Sequence, residues 1–275
     1  MLETVDGSGS RCETVKSVRP MAISNMEIRV KGDGSVEPFL GARELFETEH
    51  DLELPVIVKI RENPDERTMA GHYDDRHELI VSRRAATSAM ARELALHEFA
   101  HMVRYEEEHP SHRQSTEEAL FLALAGRSVE RRKLSHCYQI ANHMKDIYAD
   151  DITLNLGPTE KLVDFMESSL ARALAETPPS APGGWTRQTA SADPEITAVN
   201  AAFALALLER HNAIENDHRL YDLADAAASD APGVSLAAFK THFRSLGDDP
   251  DESEYRKALV DVTREYALSN GLAAD

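Results

Sequence analysis

Cysteine is almost absent from this chain of 275 residues, which contains only Cys12 and Cys137. Two cysteines so far apart in sequence cannot form the disulfide framework of a small secreted domain, and neither has the spacing of a metal-ligand pair. Long apolar runs are also missing, since the longest, at 198–208, falls short of the about 20 residues that span a bilayer. No apolar leader is readable near Glu3 and Asp6. These absences predict a protein of the reducing cytoplasm without a membrane anchor.

Aromatic residues (6%) and lysine (eight residues) are scarce as well. Few aromatics and many Ala and Leu residues in the second half favour helix over sheet, because Ala loses no side-chain entropy in a helix. With 48 acidic against 30 basic residues, the net charge of -18 repels nucleic acids and anionic lipids, so neither is expected as a partner. An acidic, lysine-poor composition is typical of halophilic archaea, although a GC-rich genome with ordinary acidity gives a similar one.

The hydrophobic fraction of 42% is sufficient for one good core and a smaller second unit. Residues 1–25 are rich in Gly, Ser and charge without a period, which predicts a flexible N-terminal tail. The proline- and glycine-rich stretch at 177–188 cannot continue a helix and predicts a linker. We therefore expect a first domain over 26–176 and, after the linker, a helical C-terminal region over 189–275.

Hydrophobic periodicity predicts a small antiparallel or mixed sheet followed by a mostly helical chain, which is an α+β fold. The last two of four expected strands form a hairpin, and the strands cover 27–31, 54–60, 68–73 and 78–82. The expected helices cover 42–49, 87–107, 115–134, 137–154, 160–175, 194–210, 220–229, 236–245 and 252–266. His72 and His77 flank the hairpin turn and are expected to be exposed turn residues.

The strongest chemical signal is the run His97-Glu98-Phe99-Ala100-His101. Histidines four residues apart lie one turn above each other on a helix and can bind a single cation, whereas Glu98 projects beside the pair. Zinc lowers the pKa of a bound water to about 7, so a carboxylate placed there can take its proton. The uncharged Phe99 and Ala100, within a strong helical pattern, argue against a chance match.

With this motif after a hairpin, residues from about 54 to 155 resemble the zincin superfamily of metallopeptidases, in which a mixed sheet precedes the active-site helix. The resemblance implies that His97 and His101 bind Zn²⁺ and that Glu98 is the general base. It further implies that the outer strand of the hairpin holds an extended peptide by strand addition.

The third ligand separates the branches of this superfamily, because a catalytic zinc takes three protein ligands and leaves one position for water. The metzincin pattern requires Gly at 104 and His at 107, and Arg104 and Glu107 exclude it. Gluzincins use an acid from a later helix, and Asp146-Ile147-Tyr148-Ala149-Asp150 resembles their Glu-x-x-Ala-Asp form with Asp in place of Glu. The chain is thus similar to archaeal gluzincin-like proteins, with Asp146 as third ligand and Asp150 bracing a histidine ligand.

Other third ligands remain open on the sequence alone. Glu118 and Glu117 lie on the intervening helix, and His109 or His112 would supply a third histidine instead. A peptidase also needs a donor that stabilises the oxyanion formed on the amide carbonyl. Nothing separates the four donors within reach by sequence order, which are Tyr105, Tyr138, Tyr148 and His143.

These residues predict a zinc-dependent peptidase that acts on a peptide or protein substrate, with Glu98 as general base. The competing hypothesis is a catalytically silent zinc-binding or regulatory protein-interaction module on a peptidase-like fold. Asp in place of Glu at the third ligand would suit such a weakened site. Glu98 argues against it, because a structural zinc site has no use for an unliganded acid beside its histidines.

Overall fold

A computed structural model describes residues 26–176 and 193–269, so the predicted tail at 1–25 and the predicted linker at 177–188 lie outside the described residues. The strands are β1 Ile28–Lys31, β2 Val56–Arg61, β3 Met69–Tyr73 and β4 Arg76–Ser82. The two described ranges are separated by a gap at 177–192. The helices before the gap are α1 Glu37–Phe46, α2 Arg83–Ala86, α3 Ala91–Glu106, α4 Pro110–Arg113, α5 Thr116–Leu124, α6 Arg131–Leu156 and α7 Glu160–Glu176. Those after it are α8 Pro194–Arg210, α9 Arg219–Asp230, α10 Leu236–Arg244 and α11 Glu252–Leu268. The α+β fold class is confirmed.

The sheet is mixed and has the order β1-β2-β4-β3. β1, β2 and β4 are parallel neighbours, because α1 returns the chain between the first two strands and β3 lies outside β4. β3 pairs antiparallel with β4 through the expected hairpin, with Ala70 opposite Leu79. β3 is therefore an edge strand of the described sheet.

The sheet buries one face against helices. In β2, the apolar side chains Val56, Val58 and Ile60 are buried, whereas Ile57 and Lys59 lie on the opposite face, as expected for a strand with a period of two residues. The buried face packs on α1 and α3, and the C-terminal half of α6 closes the same hydrophobic cluster. This packing fixes α3 beneath the sheet and beside α6.

Several predicted helix boundaries differ from the structure. The helix expected at 42–49 is α1, which begins earlier, at Glu37, with a proline in its first turn. The helix expected at 87–107 is preceded by α2, because the Ser82 hydroxyl accepts a hydrogen bond from the Ala85 amide and caps an earlier turn. The helix expected at 115–134 ends at Leu124, since Gly126 has a φ of +72°, a conformation that interrupts a right-handed helix. α6 then runs without interruption through the break expected after residue 134.

The helices after the gap share a core with those before it. One hydrophobic cluster joins α5 and α6 to α8, α10 and α11, and a second joins α7 to α8 and α9. The division of the chain into two domains at 177–188 stays a prediction, although helices from both sides of it build a single core. None of the described helices has both the length and the apolar character needed to span a membrane.

Candidate metal centre

His97 and His101 lie on consecutive turns of α3, on the side that faces α6. Their Nε2 atoms are 3.0 Å apart. Asp146 on α6 brings its Oδ1 atom to 3.3 Å from His101 Nε2 and 3.8 Å from His97 Nε2. Phe99 and Ala100, between the two histidines, are fully buried on the opposite side of α3 and hold the helix in place. The structure therefore brings two imidazoles and one carboxylate together.

The three atoms have the spacing of a zinc site. Ligands arranged tetrahedrally at a zinc–nitrogen distance of about 2.0 Å lie about 3.3 Å from one another. Two neutral imidazole nitrogens and a carboxylate oxygen are also a donor set found at catalytic zinc. His97, His101 and Asp146 thus fit the ion, and their ligand atoms all lie within 4.8 Å of one another.

The alternative third ligands lie elsewhere. Glu117 and Glu118 are exposed on α5, where Glu117 accepts a hydrogen bond from the Ser115 hydroxyl. His109 is buried, bonds to Ser111 and packs on Tyr148, rather than facing the histidine pair. None of these residues joins the cluster of His and Asp atoms found among the described residues.

Asp150 holds His97 from behind. Its Oδ1 atom lies 2.7 Å from His97 Nδ1 and also accepts a hydrogen bond of 3.0 Å from the Thr153 hydroxyl. With Nδ1–H directed to the carboxylate, His97 offers the lone pair of Nε2 to a metal ion once the ring has lost its second proton. Asp150 is only 4% exposed, so water has little access to this hydrogen bond.

His112 occupies the corresponding position behind His101. Its Nε2 atom lies 2.8 Å from His101 Nδ1. The sequence suggested His112 only as a rival ligand, and no spacing rule identifies it as an anchor. Burial and, to a smaller extent, neighbouring His101 and Lys145 lower the pKa of His112 to about 2, so the ring is neutral.

Residues of α8 also contact the centre indirectly, because they hold His143 of α6 beside Asp146. His143 Nδ1 is 3.5 Å from Asp146 Oδ2, and its Nε2 is 2.8 Å from Asn200 Oδ1. The ring stacks on Phe203 at a centroid distance of 4.3 Å. Asn200 and Phe203 carry no motif that would have identified them in the sequence.

The centre concentrates negative charge. Burial would raise the pKa of Asp146, but hydrogen bonds to His101 and His143 hold it well below its usual range. Burial lowers the pKa of His97, but the carboxylates of Asp150 and Asp146 outweigh this effect and raise it to about 10. Without a metal ion, the His97 ring therefore keeps its second proton, and this positive charge offsets part of the negative charge of the two carboxylates.

Glu98 lies beside the pair without a hydrogen-bonding partner among the described residues. Burial raises the pKa of its carboxyl group, and the charges of His97 and His101 lower it. An unpaired carboxyl group next to two candidate ligands is available to exchange a proton with a bound molecule.

A cavity of 470 Å³ opens at one side of the ligands. His97, His143, Asp146 and Asp150 form its polar end, and Glu98 lies outside its lining. The rest is mostly apolar and includes Leu45, Leu94, Leu154, Phe165, Met166 and Phe203. Of the four donors considered for the oxyanion, His143 lines this cavity, whereas Tyr148 is fully buried in the core and Tyr105 stacks on His72.

The prediction that His72 and His77 are exposed turn residues is wrong. Both belong to strands, and His77 is completely buried on the face covered by α3. Its Nε2 atom lies 2.9 Å from Glu106 Oε1, and its Nδ1 atom lies 3.0 Å from His72 Nδ1. The turn consists of only two residues, so the histidines on either side already follow the strand geometry.

A second group of donors resembles the centre in composition and comprises His136, Asp193 and Glu195. Here Arg132 already pairs with Asp193 at 2.6 Å and with Glu195 at 3.2 Å. The guanidinium group pairs with both carboxylates and offsets one of their two charges, so we interpret this group as an ion-pair cluster between α6 and the start of α8.

Comparison with known proteins yields a family but no described relative. No curated protein and no solved structure matches the chain. The family model of a family of unknown function, DUF5781, matches residues 26–268, which include every residue of the centre and all fifteen elements of the described fold. The chain therefore belongs to the family of unknown function DUF5781.

Proposed function

We propose that this chain is a cytoplasmic zinc-dependent peptidase with Zn²⁺ held by His97, His101 and Asp146. The observation that carries the proposal is the convergence of these three ligand atoms beside an unpaired carboxyl group, Glu98. The hydrogen-bonding partners of both Nδ1 atoms support the assignment, because a ligand histidine usually donates the hydrogen on its other ring nitrogen to a fixed acceptor.

Bound zinc would supply a Lewis acid that polarises a substrate carbonyl and lowers the pKa of a water molecule. Glu98 takes a proton from the attacking water and delivers it to the leaving amine nitrogen. Its raised pKa suits the first of these steps, since a more basic carboxylate takes a proton from water more readily. His143 lines the cavity, but its Nε2 hydrogen is directed to Asn200 Oδ1, so the neutral ring has no second hydrogen for a developing oxyanion, and we assign no oxyanion donor.

The substrate class follows from the surroundings of the centre. β3 is an edge strand packed beside α3, and its outer edge, unpaired in the described part of the chain, can pair with an extended peptide. The cavity beside His97 accepts an apolar side chain, because its walls are mostly aliphatic and aromatic. We therefore propose a peptide or protein substrate with a large apolar residue near the scissile bond, and neither nucleic acid nor membrane as partner.

Elemental analysis of the purified protein tests the metal site. We expect about one zinc per chain, lost in His101→Ala and Asp146→Ala and kept in Glu118→Ala, whose exposed side chain makes it a matched control. A correctly folded wild type that binds no divalent metal would sink the proposal.

Glu98→Gln separates an enzyme from a silent zinc-binding module. The amide keeps the shape of the side chain but cannot accept the proton, so zinc content should be unchanged while hydrolysis of denatured casein falls at least about 100-fold. If the wild type binds zinc but cleaves neither casein nor a random peptide library, the alternative of a regulatory module is favoured.

A further inference from the structure

The segment His109-Pro110-Ser111-His112 connects the centre to a backbone amide. His109 caps α4, and its Nδ1 atom accepts a hydrogen bond of 3.2 Å from the Ser111 amide. A backbone N–H can only donate, so the Nδ1 atom of His109 carries a lone pair and its ring hydrogen is on Nε2. This amide sets the direction of the hydrogen bonds that follow.

The Ser111 hydroxyl donates one hydrogen bond and accepts another, and the lone pair of His109 Nδ1 determines which is which. Its Oγ atom lies 2.7 Å from His109 Nδ1, which is an acceptor, so the hydroxyl donates its only hydrogen there. The same Oγ atom lies 2.8 Å from His112 Nδ1 and can only accept at this second contact. The hydrogen of the neutral His112 ring is therefore on Nδ1, and its Nε2 atom carries a lone pair.

His112 then determines the tautomer of His101. Because His112 Nε2 is an acceptor, the 2.8 Å contact requires His101 Nδ1 to donate. The lone pair of His101 is left on Nε2, the atom that faces His97 and Asp146. Ser111 is fully buried and His109 is 7% exposed, so water does not compete for these bonds.

We propose that His112 is a positioning residue that, oriented by Ser111 and His109, holds His101 in the tautomer that binds the metal ion. The inference rests on the proposed metal site and assigns three residues to it. It also distinguishes the two histidine ligands. His97 is anchored by a carboxylate and His101 by a neutral imidazole, so the second anchor orients its ligand without adding negative charge.

Imidazole nitrogen NMR of the metal-free protein tests the direction of the hydrogen bonds without any metal. We expect hydrogen on Nδ1 of His112 and on Nε2 of His109. A His112 ring with its hydrogen on Nε2 would overturn the inference, whatever the protein binds.

Zinc and cobalt titrations test the effect on the centre. His112→Ala should weaken Zn²⁺ binding by about 10- to 100-fold and broaden the visible absorption of bound Co²⁺. His112→Gln, whose amide oxygen can still accept from His101, should recover part of the affinity. His242→Ala removes a partly buried histidine that bonds to Glu265 and belongs neither to the group of candidate ligands nor to the cavity lining, so it should change neither measurement.

The outcomes are separable from those of the proposed function. If the wild type binds no metal, the peptidase proposal fails, and the NMR experiment still decides the tautomers. If the wild type binds zinc and His112→Ala binds it equally well while folded, the positioning role is overturned and the metal site stands. A loss in His112→Ala without recovery in His112→Gln, together with a lower thermal midpoint of the metal-free variant, would assign His112 a purely structural role.

Discussion

Two groups of histidine and carboxylate side chains in the described part of the molecule look alike in composition but differ in what surrounds them. At the centre between α3 and α6, Asp146 forms ion pairs only with histidines among the described residues. In the cluster between α6 and α8, the carboxylates of Asp193 and Glu195 are both paired with Arg132.

The difference shows that a set of donor types does not by itself make a metal site. Arginine is always charged, so a metal ion would have to compete with it for the carboxylates with which it pairs. Where histidines are the only partners, each can give up a proton and offer a lone pair, so a metal ion can replace the protons. We therefore interpret the first group as a centre for chemistry and the second as a contact that fastens α8 to α6.

Zinc-dependent stability is expected to separate the two groups most clearly. Zinc at about 1,000 times its Kd should raise the free energy of unfolding by about 4 kcal/mol, because only the folded chain presents the assembled ligands. Asp146→Asn should abolish this gain, whereas Asp193→Asn should keep it. Urea unfolding with zinc and with a chelator measures both, and equal gains in the two variants would contradict the comparison.

The arginine cluster is expected to contribute to stability without metal. Asp193→Asn removes the charge facing Arg132 but keeps a side-chain oxygen for the cap of α8, so it should cost about 1–2 kcal/mol. The figure is below that of a fully buried pair because the Arg132 side chain is 45% exposed. Asp193→Ala, which also loses the cap, should cost about 1 kcal/mol more in the same urea titration. A larger loss in the Asn variant would mean that charge pairing alone does not describe the cluster.

The two groups should respond to pH in opposite directions in metal-free protein. The folded-state pKa of His97 is raised to about 10, so its contribution to stability is complete below about pH 6.5 and is lost as the pH rises toward about 10. Burial lowers the pKa of His136 despite the nearby Asp193 carboxylate, so the unfolded chain takes up a proton that the folded chain does not, and stability falls below about pH 6.5.

Urea unfolding from pH 5 to pH 10 in chelator checks these signs. His97→Gln should remove the loss on the alkaline side, and His136→Gln should reduce the loss on the acid side. Unchanged slopes in both variants would show that other groups govern the pH dependence.

Features that depend on residues close together in the sequence could be predicted, whereas contacts between residues far apart in the sequence could not. The α+β class, the hairpin and α8 follow from periodicity and turn residues, and the spacing of His97 and His101 places them on one helix face. The order of the sheet could not be read, because a parallel neighbour is chosen by packing across α1 and not by a local pattern. Asn200 and Phe203 are likewise brought to the centre only by the shared core of α6 and α8.

Asn200→Ala gives the smallest expected effect and tests whether the part of the chain after the gap tunes the centre. Asn200 Oδ1 holds both His143 Nε2 and Gln139 Nε2, and His143 faces the second oxygen of Asp146. Removing the amide should loosen His143 and weaken zinc binding by less than about tenfold, since Asn200 is one contact further from the ligands than Asp150.

The matched control for Asn200→Ala is Gln139→Ala, which removes the other partner of the same amide oxygen but leaves the bond to His143. Zinc affinity should stay at the wild-type value in that variant. If both variants weaken zinc binding equally, the amide acts through the packing of α8 on α6. If only Asn200→Ala weakens it, α8 positions the third ligand through His143, and the helices after the gap contribute to metal binding.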